Sequence, residues 1–175
     1  MKPTRLSLYT LLCGAALAGL SCGESTPLGV DSQAPKPEAE LNGLLAGQRL
    51  LRCSPLPAAS ASGIIGPAGG VLQVGPHTLS VPPGALTAPV TITAVAPSDT
   101  VRRVHFDPAG LSFAQPVYLT MSYANCGLFW WWVPKRIAYT SDLLQILEYL
   151  PSFDSQTSQT VIGRLLHFSQ YAVAW

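Results

Sequence analysis

The sequence has few charged residues and no excess of either sign. Aspartate, glutamate, lysine and arginine make up 11% of the 175 residues, and the formal net charge is +1. If an N-terminal signal carrying Lys2 and Arg5 is removed, the ten basic residues fall to eight, against nine acidic ones. Nucleic-acid binding needs a cluster of basic side chains, so we expect no nucleic-acid partner.

Motifs of enzymes and metal sites are also lacking. The chain has no Gly-rich phosphate loop, no G-x-S-x-G turn and no H-E-x-x-H spacing. Its three histidines, His77, His105 and His167, fall on separate predicted strands or turns. We therefore expect no metal, no cofactor and no enzyme acting on an external substrate.

Only one apolar run is long, and it lies near the N-terminus. Residues 6–20 are almost wholly apolar, and they follow the basic Lys2 and Arg5. The run is shorter than the roughly 20 residues that a membrane-spanning helix needs. This pattern predicts a secretory signal peptide over residues 1–21.

Residues 19–22 resemble the bacterial lipobox, in which a small residue precedes a cysteine that receives a lipid and becomes the new N-terminus. The resemblance implies a lipid anchor on Cys22 and a place in the cell envelope. Ordinary signal-peptidase cleavage after Ala18 is the alternative, and it gives a secreted soluble protein. Either route takes the chain out of the cytoplasm.

The sequence has only four cysteines. Cys13 lies in the signal peptide and Cys22 is the lipidation candidate, so Cys53 and Cys126 remain as a pair in an oxidising compartment. We predict a disulfide between them. Two buried free thiols are the alternative, and no metal-ligand spacing surrounds either residue.

Residues 22–61 form a predicted tether. The part from 23 to 40 is rich in proline, serine and glycine and has few large apolar side chains, which predicts a flexible segment. Residues 41–51 carry a weak helical pattern of leucines, interrupted by glycines. Here a short helix and a docked extended segment both remain open.

Residues 62–175 are predicted to form an all-β, antiparallel β-sandwich. Short runs of valine, isoleucine, threonine and aromatic residues alternate with Gly and Pro turns, as is typical of sandwiches and barrels. In the run 117–123, odd positions are apolar and even positions include Tyr118, which predicts one buried and one solvent face. The predicted strands are 71–74, 78–81, 90–96, 103–106, 117–123, 135–140, 144–150, 160–167 and 170–175.

Three segments resemble the ZU-five domain family. They are residues 65–72 (IGPAGGVL), 79–86 (LSVPPGAL) and 105–117 (HFDPAGLSFAQPV), each with a glycine where a turn needs positive φ. The family is the β-sandwich of ankyrins, netrin receptors and tight-junction scaffolds, with similar modules in exported bacterial proteins. The resemblance implies a non-catalytic protein-interaction or structural module.

Some members of that family cut their own chain within a His-Phe-Ser sequence, and His167, Phe168 and Ser169 match it. The resemblance implies that Ser169 would attack the Phe168 carbonyl with His167 as the base. A strand carrying His167 and Ser169 two positions apart would point both side chains to one face. In the structural alternative, Phe168 fills the core and Ser169 makes a turn.

Residues 128–133 hold large apolar side chains in succession, including Phe129, Trp130, Trp131 and Trp132. If the segment is extended, its two faces cannot both enter one core. The face left outside the core would then be covered by residues 44–51, by a partner protein of the envelope, or by the interface of the membrane, where tryptophan is favoured. A sugar-binding surface on these rings is a further alternative.

Overall fold

Strands make up most of the computed structural model, which describes residues 50–127 and 132–175. The signal peptide, Cys22 and the tether up to residue 49 lie outside the described residues, as do Phe129, Trp130 and Trp131. The described residues belong to one compact unit of the chain.

Eleven strands run through the described residues. They form two antiparallel sheets, with the order β1-β4-β5-β11-β7-β8 in the first sheet and β2-β3-β6-β10-β9 in the second. Side chains from both sheets meet in one apolar core, which confirms the predicted antiparallel β-sandwich. The strands are β1 (Ala59–Ile65), β2 (Gly70–Val74), β3 (His77–Val81), β4 (Val90–Ala96), β5 (Arg103–Asp107), β6 (Ser112–Ser122), β7 (Arg136–Thr140), β8 (Ile146–Tyr149), β9 (Ser152–Ser155), β10 (Thr160–His167) and β11 (Gln170–Ala174).

Within these ranges, no helix is long and apolar enough to cross a bilayer.

Alternation along β6 follows the sequence prediction. Val117, Leu119 and Met121 are fully buried, whereas Tyr118 between them is 43% exposed. This strand therefore gives one face to the core and one to solvent.

The first strand begins before Ser62, where the sequence analysis starts the sandwich. Alanine, serine and glycine dominate β1 and have little intrinsic preference for strands. All seven of its residues nevertheless pair with β4, and the Ser62 hydroxyl donates to the Ile92 carbonyl at 3.3 Å. This strand forms because of its pairing with β4, which the strand propensities of its own residues do not indicate.

Residues 50–53 are docked and extended, whereas residues 41–49 of the leucine-rich segment lie outside the described residues. Leu50 is 2% exposed and bridges Ala174 of β11. The Leu51 N–H donates to the Val173 carbonyl at 2.8 Å. The start of the described chain is thus bound beside its last strand.

The strand predicted over residues 144–150 is shorter in the structure. Leu144 has a φ of 60° and lies in a turn, so β8 begins only at Ile146. The chain then crosses at Pro151 to the second sheet and forms β9, which pairs with β10. Sequence alternation did not reveal this change of sheet.

Glycines take positive φ in all three turns where the motifs predict it: Gly69 at 74°, Gly84 at 81° and Gly110 at 78°. Gly69 has a second constraint, since a Cβ there would lie 2.4 Å from the Val81 carbonyl oxygen. A Cβ on Gly110 would meet no atom within 4 Å. Only at Gly69 does the backbone also pack too closely for a side chain.

This contrast predicts different losses of stability when each of the two glycines is replaced by alanine. Gly110→Ala is expected to lower the free energy of unfolding by about 1 kcal/mol, the cost of a left-handed alanine. Gly69→Ala should cost about 2 kcal/mol, because the backbone at Val81 must also move. Urea unfolding of both variants measures the difference, and equal losses would show that the clash relaxes without cost.

Candidate functional site

The His167-Phe168-Ser169 segment joins β10 to β11. The Phe168 ring is buried, stacks on Phe106 with ring centres 4.9 Å apart, and meets Phe113 edge-on at 4.8 Å. The strand β10 ends at His167, after an irregularity in its register with β6. Ser169 lies in the bend before β11, so no continuous strand carries His167 and Ser169 on one face.

Backbone hydrogen bonds hold the bond between Phe168 and Ser169 in place. The Phe168 carbonyl accepts the Gly110 N–H at 3.0 Å, and the Phe168 N–H donates to Leu111 at 2.8 Å. The Ser169 carbonyl accepts the Phe106 N–H at 3.1 Å. The turn between β5 and β6, which the sequence does not link to this segment, therefore fixes the candidate cleavage site.

Two tyrosines surround the imidazole of His167. The Tyr171 hydroxyl donates to the His167 carbonyl at 2.5 Å and lies 3.5 Å from Nδ1 of the ring. The same Nδ1 is 3.5 Å from the Phe168 carbonyl oxygen, and the Tyr139 ring packs edge-on at 5.2 Å. Burial, with Tyr139 and Glu148 nearby, raises the pKa of Tyr171. None of the hydrogen bonds in the described chain joins His167 to Ser169.

The predicted disulfide between Cys53 and Cys126 is present, and both residues are buried in the core. Beside it lies the buried Arg102, whose Nη2 donates to the Ser54 carbonyl at 3.3 Å and to Asn125 Oδ1 at 2.5 Å. Burial lowers the pKa of Arg102. The guanidinium thus helps to join the segments that carry the two cysteines.

His77 is a buried histidine that sequence reasoning did not single out. The Ser122 N–H donates to its Nδ1 at 3.2 Å, which leaves the proton of the neutral ring on Nε2. Nε2 is buried and has no hydrogen-bond partner in the part of the chain that is described. Burial, together with the charge of Arg102, lowers the pKa of His77 from 6.5 to about 4.

A polar cluster joins the two chain segments that precede residue 128 and follow residue 131 in the sequence. Tyr123 donates to Asp154 Oδ1 at 2.6 Å, and the Lys135 backbone N–H donates to Asp154 Oδ2 at 2.9 Å. Burial lowers the pKa of Lys135, while Asp154 acts in the opposite direction. The Lys135 amino group donates to the Val133 carbonyl at 2.6 Å, so the cluster supports this end of the sandwich.

The aromatic segment is described only in part. Trp132 is 55% exposed. The arrangement of Phe129, Trp130 and Trp131 lies outside the described residues, as does Cys22. Within residues 50–127 and 132–175, no group of three or more His, Cys, Asp or Glu side chains is placed to hold a metal ion.

No model of a known protein family matches the chain, and no curated protein matches it significantly. The resemblance to the ZU-five family remains a prediction from the three motifs.

Proposed function

We propose that the chain is an exported, lipid-anchored and non-catalytic module of the cell envelope, whose β-sandwich binds a partner or supports the envelope. The observation that carries the export part of the proposal is the disulfide between Cys53 and Cys126. Structural disulfides persist in oxidising compartments and are rare in the cytosol. The apolar run over residues 6–20 would supply the export signal, and Cys22 the anchor.

The surroundings of His167 support a non-catalytic role. A serine nucleophile needs a base within hydrogen-bonding distance of its hydroxyl. The described hydrogen-bond contacts of the His167 ring go to Phe168 and Tyr171 instead. Phe168 itself is a central core residue, as expected if the segment is structural.

Self-cleavage is a second candidate, and one contact favours it. The Gly110 N–H that donates to the Phe168 carbonyl would stabilise the negative charge formed when the Ser169 hydroxyl attacks that carbon. The hydroxyl proton would pass to His167 and then to the departing amide nitrogen, giving an ester that water hydrolyses. The ring of His167 would have to turn toward Ser169 first.

Intact mass spectrometry of the protein, purified from its native membrane and denatured without reductant, tests both candidates. We expect one lipidated chain from Cys22 to Trp175 that gains a pair of hydrogen atoms on reduction. An unlipidated chain starting at residue 19 would refute the anchor. A chain ending at Phe168, with a separate peptide of residues 169–175, would refute the non-catalytic role.

Ser169→Ala is the matched variant for this measurement. The non-catalytic module keeps the same full length with or without the substitution. A self-cleaving domain would be cut in the wild type and intact in Ser169→Ala.

A further inference from the structure

The outer face of the second sheet carries large apolar side chains. Tyr118, Phe153 and Leu166 are 43%, 68% and 59% exposed, and they lie on β6, β9 and β10. Alternating strands usually place polar side chains at such positions. The inner positions of the same strands, such as Val117 and Leu165, are fully buried. The outward aromatic residues are therefore not needed to fill the core.

Two cavities lie on this face and beside it. The first has about 280 Å³ and is lined by Tyr118, Phe153 and Arg164, among others. The second has about 270 Å³ and is bordered by Arg164 and Leu166 of β10 and by Glu148 of β8, a strand of the first sheet. Pro151 and Arg164 border both cavities, and the two together are here called the sheet groove. Together they reach the roughly 300–1,000 Å³ of ligand sites.

Strand register sets the spacing of the aromatic rings. Tyr118 pairs with Arg164 across β6 and β10, while Phe153 pairs with Ile162 across β9 and β10. The two residues thus lie on opposite sides of β10, two strand spacings apart across the sheet and two residues apart along it, which separates their backbones by roughly 12 Å. A ligand that contacts both must be longer than a single sugar ring.

The charged groups of the groove are available to a ligand. Arg164 and Glu148 border the same cavity, yet no ion pair joins them among the described residues. Elsewhere in the fold, Arg103 pairs with Asp99 at 2.9 Å. The guanidinium of Arg164 therefore offers planar N–H donors in both cavities, beside Tyr118 and Phe153 in the first, and the carboxylate of Glu148 offers acceptors in the second.

We propose that the sheet groove binds an oligosaccharide. A sugar ring has an apolar C–H face that packs on an aromatic ring, and hydroxyl groups that both accept and donate hydrogen bonds. Tyr118 and Phe153 supply the first kind of contact, and Arg164 and Glu148 the second. The opposed charges of Arg164 and Glu148 favour a neutral ligand with many hydroxyls over a polyanion.

A peptide strand is less well suited to this groove. Its floor includes β6 and β10, which are already paired on both sides; only the edge strand β9 could accept an added strand, which would lie beside the groove and not in it. The inference rests on the proposed function in one respect: export would place the domain among surface glycans. The groove itself is independent of the lipid anchor.

Isothermal titration of the full chain, in a detergent without a sugar headgroup, tests the inference. The probes are neutral hexasaccharides of chitin, cellulose and xylan. We expect at least one to bind with a Kd in the millimolar range or tighter, and we expect Phe153→Ala and Arg164→Ala each to weaken it about tenfold. Leu143→Ala, at an exposed leucine that lines neither cavity, is the control and should bind as the wild type does.

Two results would overturn the inference: no binding of any probe, or equal binding by the groove variants and the wild type. If Trp131→Ala abolishes binding that both groove variants retain, the sugar site is on the aromatic segment and the inference fails. Melting temperatures check that each variant is folded. The outcome leaves the mass measurement of the lipid anchor unaffected, so the two proposals can fail separately.

Discussion

Replacing Cys53 and Cys126 together by alanine is expected to lower the free energy of unfolding by about 4 kcal/mol. The disulfide joins residues that are 73 positions apart, so it closes a long loop in the unfolded chain. In the chain-entropy model, the stabilisation grows with the length of that loop. Both cysteines are also buried in the core, and removing their sulfur atoms leaves space there. Urea unfolding, followed by intrinsic fluorescence, measures the loss.

Wild-type protein unfolded with a reductant present is the control for this experiment. It lacks the cross-link but keeps both sulfur atoms, so its stability should fall close to that of the double variant. A loss below about 1 kcal/mol in both samples would contradict the prediction. Hydrogen bonds around residues 50–53 would then hold the segment without help from the disulfide.

Acid is expected to destabilise the fold through His77. Its folded-state pKa of about 4 lies below the ordinary 6.5, so between these values the unfolded chain binds more protons than the folded one. Stability therefore falls as the pH drops from 6.5 to 4. The loss attributable to this histidine reaches about 3 kcal/mol at pH 4, since each pKa unit corresponds to about 1.4 kcal/mol.

His77→Asn isolates this effect. Asparagine retains an acceptor for the Ser122 N–H and does not titrate. Urea unfolding at several pH values should show a smaller loss between pH 6.5 and pH 4 in His77→Asn than in the wild type. His77→Gln, also without a titrating group, should behave similarly. Parallel curves for all three proteins would show that His77 is not the source of acid sensitivity.

Sequence patterns predict the sandwich where burial alternates with exposure, as in β6, and where a turn requires glycine, as at Gly69 and Gly110. They do not predict β1, because alanine, serine and glycine carry no strand signal and β4 supplies the pairing. They also miss the change of sheet at Pro151. That crossing depends on which strands are neighbours, a property of the whole fold.

The features of the candidate sites also differ in how far the sequence predicts them. The His-Phe-Ser sequence is contiguous and can be recognised directly, but the Gly110 N–H that contacts it comes from a distant turn. Tyr118, Phe153 and Arg164 come together only through the pairing of β6, β9 and β10. The one local signal for the sheet groove was Tyr118, which alternation placed on the solvent face.

The attachment of residues 50–53 also determines how the module responds to mechanical force. A pull that reaches Leu50 from the N-terminal side first loads the hydrogen bonds of Leu51 to Val173 and of Cys53 to Thr100, and then the disulfide. If the opposing load acts on β7 to β11, the covalent link to Cys126 carries the tension past residues 54–125. Six of the eleven strands then lie outside the path of the force, so tension cannot unfold them one after another.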